Sequence, residues 1–189
     1  MDVELLHGGN RASIASRLGC RSSDLLDASA SLVPWTPRLP RICKSLIRDY
    51  PDRTYADLRG DLARLHGVLS EMLLVGNGAA ELFTWAARDA AGTGRSLLPS
   101  PGFADYSRAL SCWDGTWMSH QLPLNWSAGR PQSLPQPVQA EVLWICNPHN
   151  PTGQLWSRAS LEPLLQRFPL VICDEAFLPL VPDLSLIHI

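Results

Sequence analysis

From about residue 54 onward, short apolar runs alternate with amphipathic stretches, and the runs end in loops of glycine, proline, asparagine or aspartate. This alternation constrains the fold more than any other feature. Apolar runs of four or five residues have the length of buried strands, and apolar residues three and four apart mark helices. The two in turn predict an α/β layer with a mostly parallel sheet and flanking helices. Strands are predicted at 72–75, 96–98, 113–122, 142–146 and 170–173. A helix is predicted after Thr54 and Asp57, which read as a capping box before Leu58, Leu62 and Leu65. Further helices are predicted over 79–91, around 103–111, and from Ser157 or Ser160. Residues 126–140 read as a surface loop. The first fifty residues, with Pro34, Pro37 and Pro40, have a different texture and read as an N-terminal arm.

Composition narrows the function classes. The 189 residues are 46% hydrophobic and 18% charged, with a formal net charge of −2. That balance is a globular one, long enough for a sizeable core, and it carries no electrostatic footprint for nucleic acid or a membrane surface. The first residues show neither a basic region nor an apolar stretch of secretory type. Five cysteines at 20, 43, 112, 146 and 173 form no C-x-x-C. This argues against a metal site or a disulfide framework and favours a cytoplasmic setting.

Three loops follow apolar runs at what would be the carboxyl ends of strands, where open parallel sheets bind ligands. Gly76-Asn77-Gly78-Ala79-Ala80-Glu81 is a glycine turn opening a helix, a ready phosphate site, although short glycine turns are also common as plain connections. Asn147-Pro148-His149-Asn150-Pro151-Thr152-Gly153 contains two Asn-Pro steps, and as a heptad it is far more specific than its parts. Cys173-Asp174-Glu175-Ala176-Phe177 places an acidic pair at the end of a buried strand, which is costly without a positive partner. A magnesium-holding reading of Asp174 and Glu175 would need a glycine-rich loop ending in Gly-Lys-Ser/Thr. The sole lysine, Lys44, has no glycine before it, so that reading is rejected.

In their order GNGAAE, PGFADY, CNPHNPTG and VICDEAF, these segments resemble class I/II aminotransferases, within the fold-type I pyridoxal-phosphate enzymes. The opening HGGN, the later YPD and the DEAF segment resemble most the threonine-phosphate decarboxylases of cobalamin biosynthesis, close relatives of histidinol-phosphate aminotransferases. The resemblance runs from about residue 7 to about 180. It implies pyridoxal 5'-phosphate as cofactor and a fold-type I large domain, truncated before its C-terminal part. The backbone amides of Gly78, Ala79 and Ala80 are expected to hold the phosphate, Asp174 to pair with the pyridine nitrogen, Asn150 to donate to the phenolic oxygen and Phe103 to stack on the ring. Tyr50 is expected to reach the phosphate of a partner subunit in a homodimer. His7, Gly9 and Ser31 are expected to close over a phosphorylated amino-acid substrate.

Departures from the pattern are visible. Val33-Pro34-Trp35-Thr36 stands where relatives commonly have Asn-Pro-Leu-Gly. His149 replaces a common asparagine, and Phe177 replaces a tyrosine of related aminotransferases, as it does in the decarboxylases. The expected organisation is an arm with the start of a small domain over 1–50, a partial cofactor-binding large domain over 51–183, and a tail over 184–189 unlike the family. The family's Schiff-base lysine lies well after the DEAF strand, and Lys44 is expected to sit on a solvated helix face over 38–49. The leading expectation is decarboxylation of threonine phosphate by a full-length form, with this stretch alone inactive and poorly soluble. Transamination is the first alternative, and a non-catalytic α/β fragment without cofactor the second.

Overall fold

The computed structural model describes residues 8–30, 35, 48, 50–127 and 129–181. His7, Ser31, Lys44 and the tail 184–189, singled out above, lie outside the described residues. The chain divides into two compact units, Met1–Arg53 and Thr54–Ile189.

In the first unit, helix α1 (Arg11–Leu18) buries Ala15 and ends at Gly19. Gly9, expected to face substrate, is anchored here. The Gly9 amide donates to Ser29 Oγ at 3.0 Å, and that hydroxyl donates to Asp27 Oδ1 at 2.6 Å. A side chain at Gly8 would collide with the Ser29 carbonyl, so only glycine allows this approach.

The second unit is built on four parallel strands in the order β2-β1-β3-β4: β1 (Ser96–Ser100), β2 (Trp117–Gln121), β3 (Val142–Cys146) and β4 (Leu170–Asp174). All five residues of β3 are buried. Strand alternation sorts its side chains between two cores. Val142, Trp144 and Cys146 face one core with Phe83, Ala87, Ala90, Tyr106 and Leu110. Leu143 and Ile145 face the other with Trp156, Leu161, Leu164 and Phe168. Helices α3 (Ala79–Thr93) and α4 (Asp105–Ser111) cover the first face, and α5 (Arg158–Arg167) the second. On α3 the alanines at 87 and 90, one and two turns past Phe83, bring the helix close to the sheet.

Three expectations are corrected. Residues 72–75 form no strand: a 3-10 turn covers Ser70–Met72, and Leu73 is extended but joins no ladder among the described residues. Met72 and Leu74 are largely exposed, so an apolar run here lacks the neighbour that makes a strand. Helix α2 (Ala56–His66) is capped at Tyr55, in the left-handed region at φ 49°, one residue later than the Thr54 box implied. The loop 126–140 is not wholly superficial: Leu134 is buried in the second core, and Gln132 bridges to Trp156.

Candidate functional site

Strand order 2-1-3-4 means that the chain leaves β1 toward one edge and returns to β3 on the other side. The loops after β1 and β3 therefore part at a topological switch point, where open α/β sheets bind ligands. Phe103 follows β1, and the 147–153 loop follows β3.

The glycine turn lies at the same end. A side chain at Gly94, the last cap of α3, would strike Glu141, and the Arg95 amide donates to Glu141 Oε2 at 2.9 Å. Arg95 and Glu141 immediately precede β1 and β3, so α3 ends at the amino ends of the strands. Its 15 residues span roughly 22 Å, longer than a five-residue strand, so its first turn lies at the carboxyl ends. Gly78 caps it at φ 83°, ψ 168°, a region open essentially to glycine alone. Residues 76–80 are exposed, and no side chain of the N-cap covers the first turn. Two loop amides are occupied: Asn77 N donates to Glu81 Oε2 at 2.5 Å, and Gly78 N to the Gly76 carbonyl at 3.0 Å. Of the three amides expected to hold a phosphate, Ala79 and Ala80 are the two that project ahead of the helix without an intrahelical acceptor.

Asp174 ends β4 on the face of the first core, two residues after Ile172. Its Oδ2 accepts from the Tyr106 hydroxyl at 2.7 Å and its Oδ1 from the Ala176 amide at 3.0 Å. Tyr106 is 1% exposed, and its ring packs on Phe83, Phe103 and Trp144 at centroid distances of 5.1, 5.7 and 5.2 Å. Burial, then the neighbouring Cys146 and Asp174, push the phenol's pKa far above its ordinary value, so it stays a donor. Burial, then Asp174, also raises Cys146 to about 11. Its neutral thiol bonds to the Pro148 carbonyl and accepts from the Asn150 amide, both at 3.2 Å.

The heptad's polar side chains are mostly engaged, by one another or by the residues just after it. Asn147, fully buried, accepts from Trp156 N at 3.0 Å and donates to Trp156 O at 3.2 Å. His149 Nδ1 pairs with Thr152 Oγ1 at 2.7 Å, and Thr152 donates to Gln154 Oε1 at 2.7 Å. His149 Nε2 is buried without a hydrogen-bond partner. Burial pushes this imidazole down to about 4, and the nearby Pro101 backbone acts in the opposite sense. Asn150, half-buried, donates its backbone amide to the thiol of Cys146 at the end of β3.

With this geometry in place, comparison with known proteins is decisive. The model of the family described as aminotransferase class I and II matches residues 24–187. The chain belongs to that family. Family members use pyridoxal 5'-phosphate. The threonine-phosphate decarboxylase of Salmonella typhimurium is 33% identical over 191 residues, covering 93% of this chain and 51% of the relative. Histidinol-phosphate aminotransferase 2 of Carboxydothermus hydrogenoformans is 26% identical over 173 residues, covering 87% and 47%. The chain thus spans about half the length of these relatives. The L-threonine-O-3-phosphate decarboxylase structure from Porphyromonas gingivalis superposes with a TM-score of 0.56 at 30% identity, over 70% of this chain and 39% of that one. The histidinol-phosphate aminotransferase of Sinorhizobium meliloti, solved with pyridoxal-5'-phosphate, shares the fold at a TM-score of 0.60 and 20% identity, over 75% and 40%.

Asp174, Phe103, Asn150 and the start of α3 therefore gather at one end of one sheet. Gly9 belongs to the other unit, as does Tyr50, which is fully exposed. Tyr106 and Cys146 were missed by sequence reasoning. A signal for Tyr106 existed, since it lies one helical turn after Phe103 and shares its face. None marks Cys146, which reads as the end of a buried strand.

Proposed function

We propose that this chain carries the cofactor-holding part of an enzyme that decarboxylates L-threonine O-3-phosphate to (R)-1-aminopropan-2-yl phosphate and carbon dioxide, in cobalamin biosynthesis. The observation that carries the reading is the Asp174 carboxylate. It is held by neutral donors at the strand ends, on the sheet face shared with Phe103 and with the open first turn of α3. This donor set fits pyridoxal phosphate. The amides of Ala79 and Ala80, aided by the helix dipole and with Gly78 shaping the turn, bind the phosphate. Asp174 holds a proton on the ring nitrogen, Asn150 donates to the phenolic oxygen, and Phe103 stacks on the ring. When bound, the cofactor supplies an electron sink for the pair released as a bond at the substrate α-carbon breaks. His7, Gly9 and Ser31 close over the substrate, and Tyr50 serves the partner subunit of a homodimer. An active full-length enzyme that is strictly monomeric would rule out this last role.

Decarboxylation is preferred because Phe177 brings no hydroxyl to the phenolic oxygen and because the Salmonella relative is a threonine-phosphate decarboxylase. Transamination of histidinol phosphate is the second reading, supported by the aminotransferase relatives. Product analysis of the full-length protein separates them. Threonine phosphate should yield carbon dioxide and the aminopropanol phosphate without any 2-oxo acid. Turnover of histidinol phosphate that depends strictly on a 2-oxo acid acceptor would replace decarboxylation with transamination. In the 189-residue chain, borohydride added with pyridoxal phosphate should fix no cofactor at Lys44, and a stoichiometric reduced adduct there would overturn its non-catalytic assignment.

A further inference from the structure

We infer that Tyr106 is the positioning residue of this site: its buried hydroxyl fixes the orientation of the Asp174 carboxylate, so that the carboxylate meets the cofactor's ring nitrogen in one defined geometry. The inference rests on the cofactor reading above.

The core does not require the Tyr106 hydroxyl. The Tyr106 ring fills a slot between Phe83, Phe103 and Trp144, and a phenylalanine would fill it equally well. A buried hydroxyl adds a group that must be satisfied. It donates to Asp174 Oδ2, at 2.7 Å and 68 residues away in sequence. The other oxygen takes the Ala176 amide at 3.0 Å. Two anchors on two oxygens fix both the rotation and the plane of the carboxylate. Both donors are neutral, and among the described residues no basic side chain forms an ion pair with Asp174. The carboxylate is thus stabilised without its charge being cancelled, and that charge remains available to a cation. Each oxygen also keeps acceptor capacity, since an ionised carboxylate offers about four lone-pair sites.

The Tyr106 hydroxyl and the Ala176 amide hold the carboxylate in one orientation. Removing the hydroxyl leaves one oxygen without its anchor and lets the group turn, which weakens its contact with a ring nitrogen and leaves the phosphate, phenolic-oxygen and ring-face contacts as they are. Cys146 contributes shape to the same floor, as a neutral thiol beside Tyr106 and Asp174.

The test measures binding of two probes by absorbance and fluorescence titration: pyridoxal 5'-phosphate, and its analogue with carbon in place of the ring nitrogen. Both share the phosphate, the phenolic oxygen and the ring face, so their affinity ratio isolates the nitrogen. The wild-type protein should prefer the nitrogen-bearing probe. Tyr106→Phe should weaken pyridoxal phosphate by about tenfold and leave the carbon analogue nearly unchanged, because the lost bond is to a charged group. In an Asp174→Asn background the same substitution should change neither affinity. Equal weakening of both probes, as from a merely structural tyrosine, would overturn the inference, and so would no change in either. A wild-type protein that binds the two probes equally would instead remove the pairing of Asp174 with a ring nitrogen, and this inference with it. Thermal midpoints of each variant, measured alongside, show that the retained ring keeps the core intact.

Discussion

Two loops at the same end of the sheet use turn residues in opposite ways. The turn at 76–80 is exposed, and α3 opens from it without a side-chain cap. The loop at 147–153 begins in fully buried residues and spends its polar groups on itself and on the residues just after it: Asn147 on Trp156, His149 on Thr152, Thr152 on Gln154. The first ties up its Asn77 and Gly78 amides and presents those of Ala79 and Ala80 ahead of the helix. The second is a rigid mount that carries one residue, Asn150, at its turn. A loop built for a ligand is recognised by which groups it leaves over, and the two loops leave over different kinds: amides for an anion in one, a single side-chain amide in the other.

Asp174 lies in β4, paired with β3 at the base of the second loop, and its replacement should have the largest effect. In the full-length enzyme Asp174→Asn should keep the fold by circular dichroism yet lower turnover about a hundredfold, as a charge-assisted bond is lost. Near-normal turnover would show that the loops do not serve a common ring.

The mount itself is broken at Asn147. Asn147→Ala strands both backbone groups of Trp156 in the core and should cost about 2–4 kcal/mol in urea unfolding. Asn150→Ala should change stability by less than about 0.5 kcal/mol while weakening cofactor binding. Equal stability losses from the two would erase the distinction between scaffold and aimed group.

For the open turn, Gly78→Ala should destabilise by about 1–3 kcal/mol although nothing lies within 4 Å of the added carbon. The cost comes from the backbone angles at φ 83°. A neutral result would mean that the turn relaxes freely and is not a preformed cradle.

The smallest effect is one of pH. His149 sits in the mount with its pKa pushed down to about 4, against an ordinary value near 6.5. The unfolded chain therefore takes up the proton first as pH falls. Stability should be full above about pH 6.5 and decline toward pH 4, by about 1–2 kcal/mol once water reaching the ring is allowed for. Denaturant midpoints at pH 7 and 4.5 measure this, and His149→Gln should flatten the profile. His120 is shifted the same way by burial and adds to the slope that remains.

The elements legible in advance were those whose evidence is local. The helix from Ala79, the strand Val142–Cys146 and the strand from Leu170 are written in the spacing of neighbouring apolar residues, and the three chemical loops in the turn residues that end those runs. The run at 72–75 carried the same local signal and misled, because a strand exists only when another backbone pairs with it.

The sequence by itself thus determined most of the helices and the four strands that pair, that the sheet is mostly parallel, that Gly78 opens a helix, and that Asn150 and Asp174 stand at strand ends. Only the tertiary structure decided that Tyr106 bonds Asp174, that Asn147 serves Trp156, that His149 is buried, and that the Gly78 amide turns back to Gly76. Periodicity and turn chemistry act over four or five residues and leave a trace in composition. A hydrogen bond across 68 residues depends on strand order, on register and on which face each side chain takes, and these are settled only when the two cores close on either side of the sheet.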